Sequence, residues 1–90
     1  MNRSVHYTSR FRNDVKKCIK RNYDILLLRN LMEKIEKGIM PDLRYRDHIL
    51  AGKFAGCREC HIAPDWLLIY KITEKTLVFI RTGTHSDLFK

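Results

Sequence analysis

Cys57-Arg58-Glu59-Cys60-His61-Ile62-Ala63-Pro64-Asp65-Trp66-Leu67-Leu68-Ile69-Tyr70-Lys71 sets the most apolar run of the chain directly against side chains that can move protons. Trp66 to Ile72 is dominated by Leu, Ile and aromatic residues, bounded by Pro64-Asp65 before it and Thr73-Glu74-Lys75 after it. That pattern predicts a central buried strand. His61, Asp65 and Trp66 then fall at the turn that feeds the strand. The end of a rigid sheet holds ionisable groups in fixed geometry while leaving them open to a substrate.

Outward from this strand, Lys53 to Ile62 reads as the strand before it and Lys75 to Thr82 as the one after, with tight turns at Ala63-Pro64 and Thr73-Glu74. Connections this short imply antiparallel neighbours and hence a meander. Gly83 ends it, and Thr84 to Phe89 is a tail with one helical turn capped by Thr84. Arg3 to Thr8 alternates and predicts a short first strand. Ser9 reads as the N-cap of a helix whose apolar stripe is Phe11, Val15, Cys18 and Ile19, with Arg10, Arg12, Lys16, Lys17, Lys20 and Arg21 on its other faces. Asp24 caps a second helix, Ile25 to Lys37, with Leu27, Leu28, Leu31, Met32 and Ile35 inward and Gly38 as its stop. Ile39 to Gly52 shows no periodicity and predicts a loop carrying Arg44-Tyr45-Arg46-Asp47-His48. The sum is an α+β domain over residues 1–90: a short N-terminal strand and an antiparallel two-helix hairpin packed on one face of a small, mainly antiparallel four-stranded sheet.

Eighteen Lys and Arg against ten Asp and Glu give a net charge of +8, which favours a polyanionic partner such as nucleic acid or an acidic protein segment. No segment approaches the roughly 20 apolar residues of a membrane helix. Met1-Asn2-Arg3-Ser4-Val5-His6 has no apolar signal region, so a cytoplasmic location and three reduced thiols, Cys18, Cys57 and Cys60, are expected.

Cys57-Arg58-Glu59-Cys60-His61 matches the spacing of covalent haem attachment and half of a zinc site. On a strand, however, residues three apart point to opposite faces and cannot grip one ligand. No metal or other cofactor is expected. The histidines offer a different chemistry. His48, His61 and His85 fall in or beside turns at the sheet ends, whereas His6 lies in the first strand and reads as structural. Imidazoles gathered in one cleft suit general acid-base work near neutral pH. With Asp65 and Trp66 at the turn, Arg81 at the end of the last strand and Phe89 in the tail, they match the needs of RNA cleavage by its own 2′-hydroxyl. A base removes the hydroxyl proton, a cation steadies the phosphorane, an acid protonates the leaving 5′-oxygen, and an aromatic holds a base out of helical geometry. Trp66 as core filling stands beside Trp66 as a stacking surface.

Taken together, Asp47-His48 with Leu50-x-Gly52, Arg58-x-x-His61-x-x-Pro64-Asp65-Trp66-x-Leu68-Ile69-Tyr70, Arg81-Thr82-Gly83-Thr84-His85 and Leu88-Phe89 resemble the YafQ branch of the RelE/ParE superfamily of bacterial toxins. The resemblance covers nearly the whole chain. It implies a RelE-like microbial RNase fold and metal-independent, ribosome-dependent cleavage of mRNA. As partners it implies mRNA on the ribosome, a cognate antitoxin, and operator DNA only through the toxin-antitoxin complex. His48, His61, Asp65, His85 and Phe89 match the family's site: His85 as general acid, His48 or Asp65 as base, His61 to orient or stabilise, and Phe89 to hold the nucleobase. Trp66 and Arg81 are the further substrate-binding candidates, and Glu59 has a supporting role. Two other readings compete, a non-catalytic, gyrase-inhibiting toxin of the ParE branch and a basic nucleic-acid-binding module without chemistry.

Overall fold

The computed structural model describes residues 3–39 and 48–89, with the backbone alone at His48. Arg44 to Asp47 of the expected substrate wall lie outside the described residues. Strand β1 (Ser4–Tyr7) leads into helices α1 (Ser9–Lys20) and α2 (Ile25–Glu36), and the two-residue strand β2 (His48–Ile49) follows. A 3-10 turn at Gly52–Phe54 precedes β3 (Arg58–Ala63), β4 (Trp66–Ile72) and β5 (Thr76–Gly83), and α3 (His85–Phe89) closes the chain. The sheet order is β1-β5-β4-β3-β2, with β1 parallel to β5 and every other pairing antiparallel. The α+β architecture expected from the sequence is present, with the two-residue β2 added at the edge in a stretch that lacks periodicity.

Several expected boundaries move. Residues 52–57 turn instead of extending, because Gly52 and Gly56 adopt φ of 71° and 84°, so the strand expected from Lys53 starts at Arg58. The α1 cap is Thr8, one residue earlier than Ser9, and its hydroxyl accepts from the Phe11 N–H at 2.9 Å. Asp24 caps α2 as expected, accepting from the Leu26 N–H at 3.2 Å.

One face of the sheet carries the helices. Phe11 and Cys18 from α1 and Leu28, Leu31 and Ile35 from α2 bury against Cys60, Ile62, Trp66, Leu68, Tyr70, Leu77 and Phe79. Two residues expected inward are not: Ile19 is 55% exposed and Leu27 45%. On α1 the inward position goes instead to Asp14, which lies three residues after Phe11 and is buried. The opposite face holds a smaller cluster of Cys57, Leu67, Ile69 and Leu88, the last anchoring α3. Leu67, Leu68 and Ile69 are all fully buried, so β4 is covered on both sides. Each such side chain contributes about 1.5–3 kcal/mol of burial energy. Cys57 and Cys60 accordingly serve opposite faces, each buried with a free thiol.

Beyond the end of β1, the outer edge of β5 is completed by α1. The Thr8 hydroxyl donates to the Ile80 carbonyl at 2.7 Å, and the Asp14 carboxylate accepts from the Thr82 N–H at 3.1 Å. These side chains replace the missing strand partner along the last part of β5, where its register with β4 shifts between Phe79 and Arg81.

Candidate active site

Two sequence-distant pieces meet at one end of the sheet: the end of β3 with the turn that leads into β4, and α3. A two-residue turn at Pro64-Asp65 presents Asp65 beside the first residue of α3. One oxygen of Asp65 accepts from the His85 backbone N–H at 2.9 Å and faces His85 Nδ1 at 2.6 Å. An ionised carboxylate can only accept, so this contact places the proton on Nδ1 and leaves Nε2 as the exchanging nitrogen. The same bonds hold the Asp65 carboxyl below its ordinary range, the backbone N–H first and the imidazole second. Both side chains stay open to solvent, 53% for His85 and 63% for Asp65.

His61 arrives from β3. It shares a face with Glu59 because the two are two residues apart on the strand, and Nε2 sits 3.2 Å from Glu59 Oε1. Its ring meets that of His85 nearly edge-on, with centroids 5.7 Å apart. Phe89 lies one turn along α3 from His85, at 6.4 Å between ring centres, and packs edge-on against Phe54 at 5.6 Å with 44% of its surface exposed. The backbone of His48 pairs with Glu59, which brings β2 against the strand that carries His61.

α3 is too short to hold itself in place. Thr84 and Asp87 form a reciprocal cap: the Asp87 N–H donates to the Thr84 hydroxyl at 3.1 Å, and the Thr84 N–H donates to the Asp87 carboxylate at 3.0 Å. The Arg21 guanidinium adds two bonds to that carboxylate, at 2.7 and 3.1 Å, and holds its pKa well below the usual carboxylate range. Gly83 is required here because a Cβ at its position would lie 2.8 Å from the Asp87 carboxylate oxygen. The Thr84-x-x-Asp87 spacing signals this cap in the sequence, whereas the reach of Arg21 across 66 residues does not.

Two of the expected substrate contacts, Trp66 and Arg81, are engaged within the fold. Trp66 is 4% exposed; its indole N–H donates to the Thr82 hydroxyl at 2.9 Å and its ring packs on Tyr23 at 4.9 Å. It packs as part of the core, and only a small part of it reaches the surface. Arg81 donates twice to Asp14, at 2.6 and 3.0 Å, with its side chain 12% exposed. In this arrangement its guanidinium faces the Asp14 carboxylate.

Residues 3–90 match the family described as the bacterial toxin of the type II toxin-antitoxin system, YafQ. The chain belongs to the YafQ toxin family. It is 43% identical over 88 residues to the mRNA interferase toxin YafQ of Escherichia coli K12, across 97% of this chain and 96% of that relative. Its fold superposes on the toxin in the crystal structure of the E. coli DinJ-YafQ toxin-antitoxin complex with a TM-score of 0.94 and 42% identity, over 100% of both chains. A metal-bound toxin from Helicobacter pylori matches with a TM-score of 0.87 and 35% identity, over 96% of this chain and 98% of that one. Among the described residues of the present YafQ-family chain, no three His, Cys, Asp or Glu side chains are grouped closely enough to hold a metal ion. No helix among them is long and apolar enough to cross a membrane.

Proposed function

We propose that this chain is an mRNA-cleaving endoribonuclease, the toxin of a type II toxin-antitoxin pair, acting on ribosome-bound message through the RNA's own 2′-hydroxyl and without a metal. The observation that carries this reading is the Asp65–His85 pair at 2.6 Å, open to solvent, with the His61 ring edge-on at 5.7 Å. His85, with Nδ1 tied to Asp65, donates from Nε2 to the departing 5′-oxygen as general acid. Asp65 already accepts twice from His85 and is held in its ionised form, which suits orienting the acid better than taking a proton. The base role therefore falls to His48, which removes the 2′-hydroxyl proton. The new bond from O2′ to phosphorus forms as the bond from phosphorus to O5′ breaks, leaving a cyclic phosphate and a free 5′-hydroxyl. His61, steadied by Glu59, donates to the phosphorane oxygens in place of Arg81. Phe89 offers its exposed ring to a nucleobase.

The partner reading follows the same line. The E. coli relative was crystallised with DinJ, its antitoxin, and we infer a cognate antitoxin for this chain, drawn by its charge of +8. Primer extension on a defined mRNA in a reconstituted translation system tests the activity, comparing the protein with its His85→Gln variant, with and without ribosomes. Chelator belongs in the free-RNA arm, because ribosomes need magnesium. Cuts that require ribosomes and vanish in the variant are the expected result. Absence of cuts alongside growth arrest on expression would transfer the weight to gyrase inhibition.

A further inference from the structure

Asp65 and Thr84, the chain neighbour of His85, also line a shallow pocket of about 330 Å³ that has no role in the cleavage scheme. Tyr23 and Leu27 from the helix connection and the start of α2 form its apolar wall, Trp66 lies at its base, and Asp24 and Asp65 stand on its rim. Leu27 is 45% exposed, although its position in the sequence marks it for the core. A leucine kept open beside a half-buried tyrosine is an apolar surface without an internal partner, and it adjoins the candidate catalytic pair through a shared residue. The two rim carboxylates are hostile to phosphate. They accept hydrogen bonds and donate none, so a planar uncharged group bearing an amino substituent fits them best.

We propose that this pocket is a nucleobase subsite, which seats an unstacked base of the RNA beside the scissile phosphate and favours bases with an exocyclic amino group over uracil. The class of its ligand rests on the RNA-cleaving reading. Apolar and aromatic walls hold splayed bases by stacking and contact, which is the common mode of single-strand recognition. Phe89, one turn along α3 from His85, would hold the neighbouring base, so two successive bases would bracket the reacting phosphate and limit its freedom before in-line attack.

The test needs no cleavage. The intact isotope-labelled protein is titrated with adenosine 5′-monophosphate, uridine 5′-monophosphate and ribose 5-phosphate, and shifts are followed at Tyr23, Leu27, Ala63 and the Trp66 indole N–H, the chain's single tryptophan. Adenosine monophosphate should move these signals, uridine monophosphate should do so more weakly, and ribose 5-phosphate should not. Leu27→Asp should weaken adenosine monophosphate binding by about tenfold, through a lost apolar contact and added negative charge. Leu26→Asp, at a neighbour that is 62% exposed and outside the pocket, should bind as wild type does. Equal responses to the nucleotide and to ribose 5-phosphate, or equal affinities of the two leucine variants, would overturn the subsite. Equal responses to the two nucleotides would overturn the amino preference. Base binding in the pocket by a protein that leaves mRNA intact on ribosomes would keep the subsite and sink the cleavage reading; cleavage without any base response would do the reverse.

Discussion

Asp14–Arg81 and Asp65–His85 are both contacts of 2.6 Å between a carboxylate and a side-chain nitrogen, yet they sit in opposite surroundings. Arg81 and Asp14 are 12% and 11% exposed, and their pairing also satisfies the Thr82 N–H at the open edge of β5. Asp65 and His85 are 63% and 53% exposed. A charge pair shut away from water is committed, because losing either partner strands the other. A pair left in water costs little to break and reform, and can exchange a proton with whatever arrives. Arg81 and His85 are only four positions apart on the chain, yet one pair is closed off within the fold and the other stands open to solvent.

The largest effect should come from the exposed pair. His85→Gln keeps polarity and size but removes the exchangeable proton, and cleavage should fall by about 10²–10⁴-fold. Its thermal midpoint should stay close to wild type, since His85 contributes little buried surface. A large drop in both quantities would erase the contrast between the two pairs.

Arg81→Ala should reverse the pattern. Removing the guanidinium leaves the Asp14 carboxylate buried with only the Thr82 N–H, at a cost of about 3 kcal/mol, near the low end for a broken buried pair. For a domain of this size that lowers the melting midpoint by roughly 15 °C. The double replacement Asp14→Leu with Arg81→Met should recover part of the loss, because it removes both charges together. Calorimetry on the single and double variants checks this. A neutral Arg81→Ala would mean that the pair is dispensable and that Arg81 is free to serve RNA.

This contrast also explains what the sequence makes legible. β4 announces itself because a strand covered on both faces is apolar without interruption, and Cys57 and Cys60 fall in separate clusters as expected, although Cys57 lies just before β3 and not on it. Asp65, His61 and His85 are visible as polar residues at turns. What escapes is partnership across distance. Nothing local says that Asp14 lies under Arg81, 67 residues away, although a carboxylate inside an apolar helical stripe is a signal that it needs a partner. Trp66 is open to two readings in the sequence because an amphipathic ring beside a turn fits either the core or a site, and its packing on Tyr23 and its bond to Thr82 have no local signal. Ile19 and Leu27 mislead for the opposite reason: helical periodicity marks an arc of surface, not the sheet's actual extent.

A gentler change to the exposed pair tests the proposed division between His85 as acid and Asp65 as orienting group. Asp65→Asn can still accept from the His85 backbone N–H, but it no longer holds the imidazole by charge. Cleavage should fall by roughly tenfold, within the range expected when a catalytic histidine loses its orienting partner rather than itself. The fall should appear in kcat with KM little changed, and the melting midpoint should hold. A loss as large as that of His85→Gln would promote Asp65 from orienting group to proton acceptor.

Asp87 lies between the two extremes and tests whether burial is graded. Its side chain is 14% exposed, and its principal partner Arg21 is 33% exposed. The Arg21 guanidinium and then the Thr84 N–H hold the carboxyl well below its ordinary value near 4, so the fold favours the ionised form. The sign follows from that direction: the stabilisation is full above about pH 4 and is lost progressively as pH falls through and below that value, because the unfolded chain takes up the proton first. Asp87→Asn should therefore cost about 1 kcal/mol at neutral pH, some 4–8 °C, and the gap from wild type should narrow as the melts are carried down to about pH 3. α3 would then be held mainly by Leu88, and His85 would wander from its bond to Asp65. Cleavage should accordingly fall by more than the stability loss alone explains, with the pH profile keeping its shape because the acid itself is unchanged. A pH-independent gap in melting temperature would show that Asp87 acts only through the shape of its cap and not through its charge.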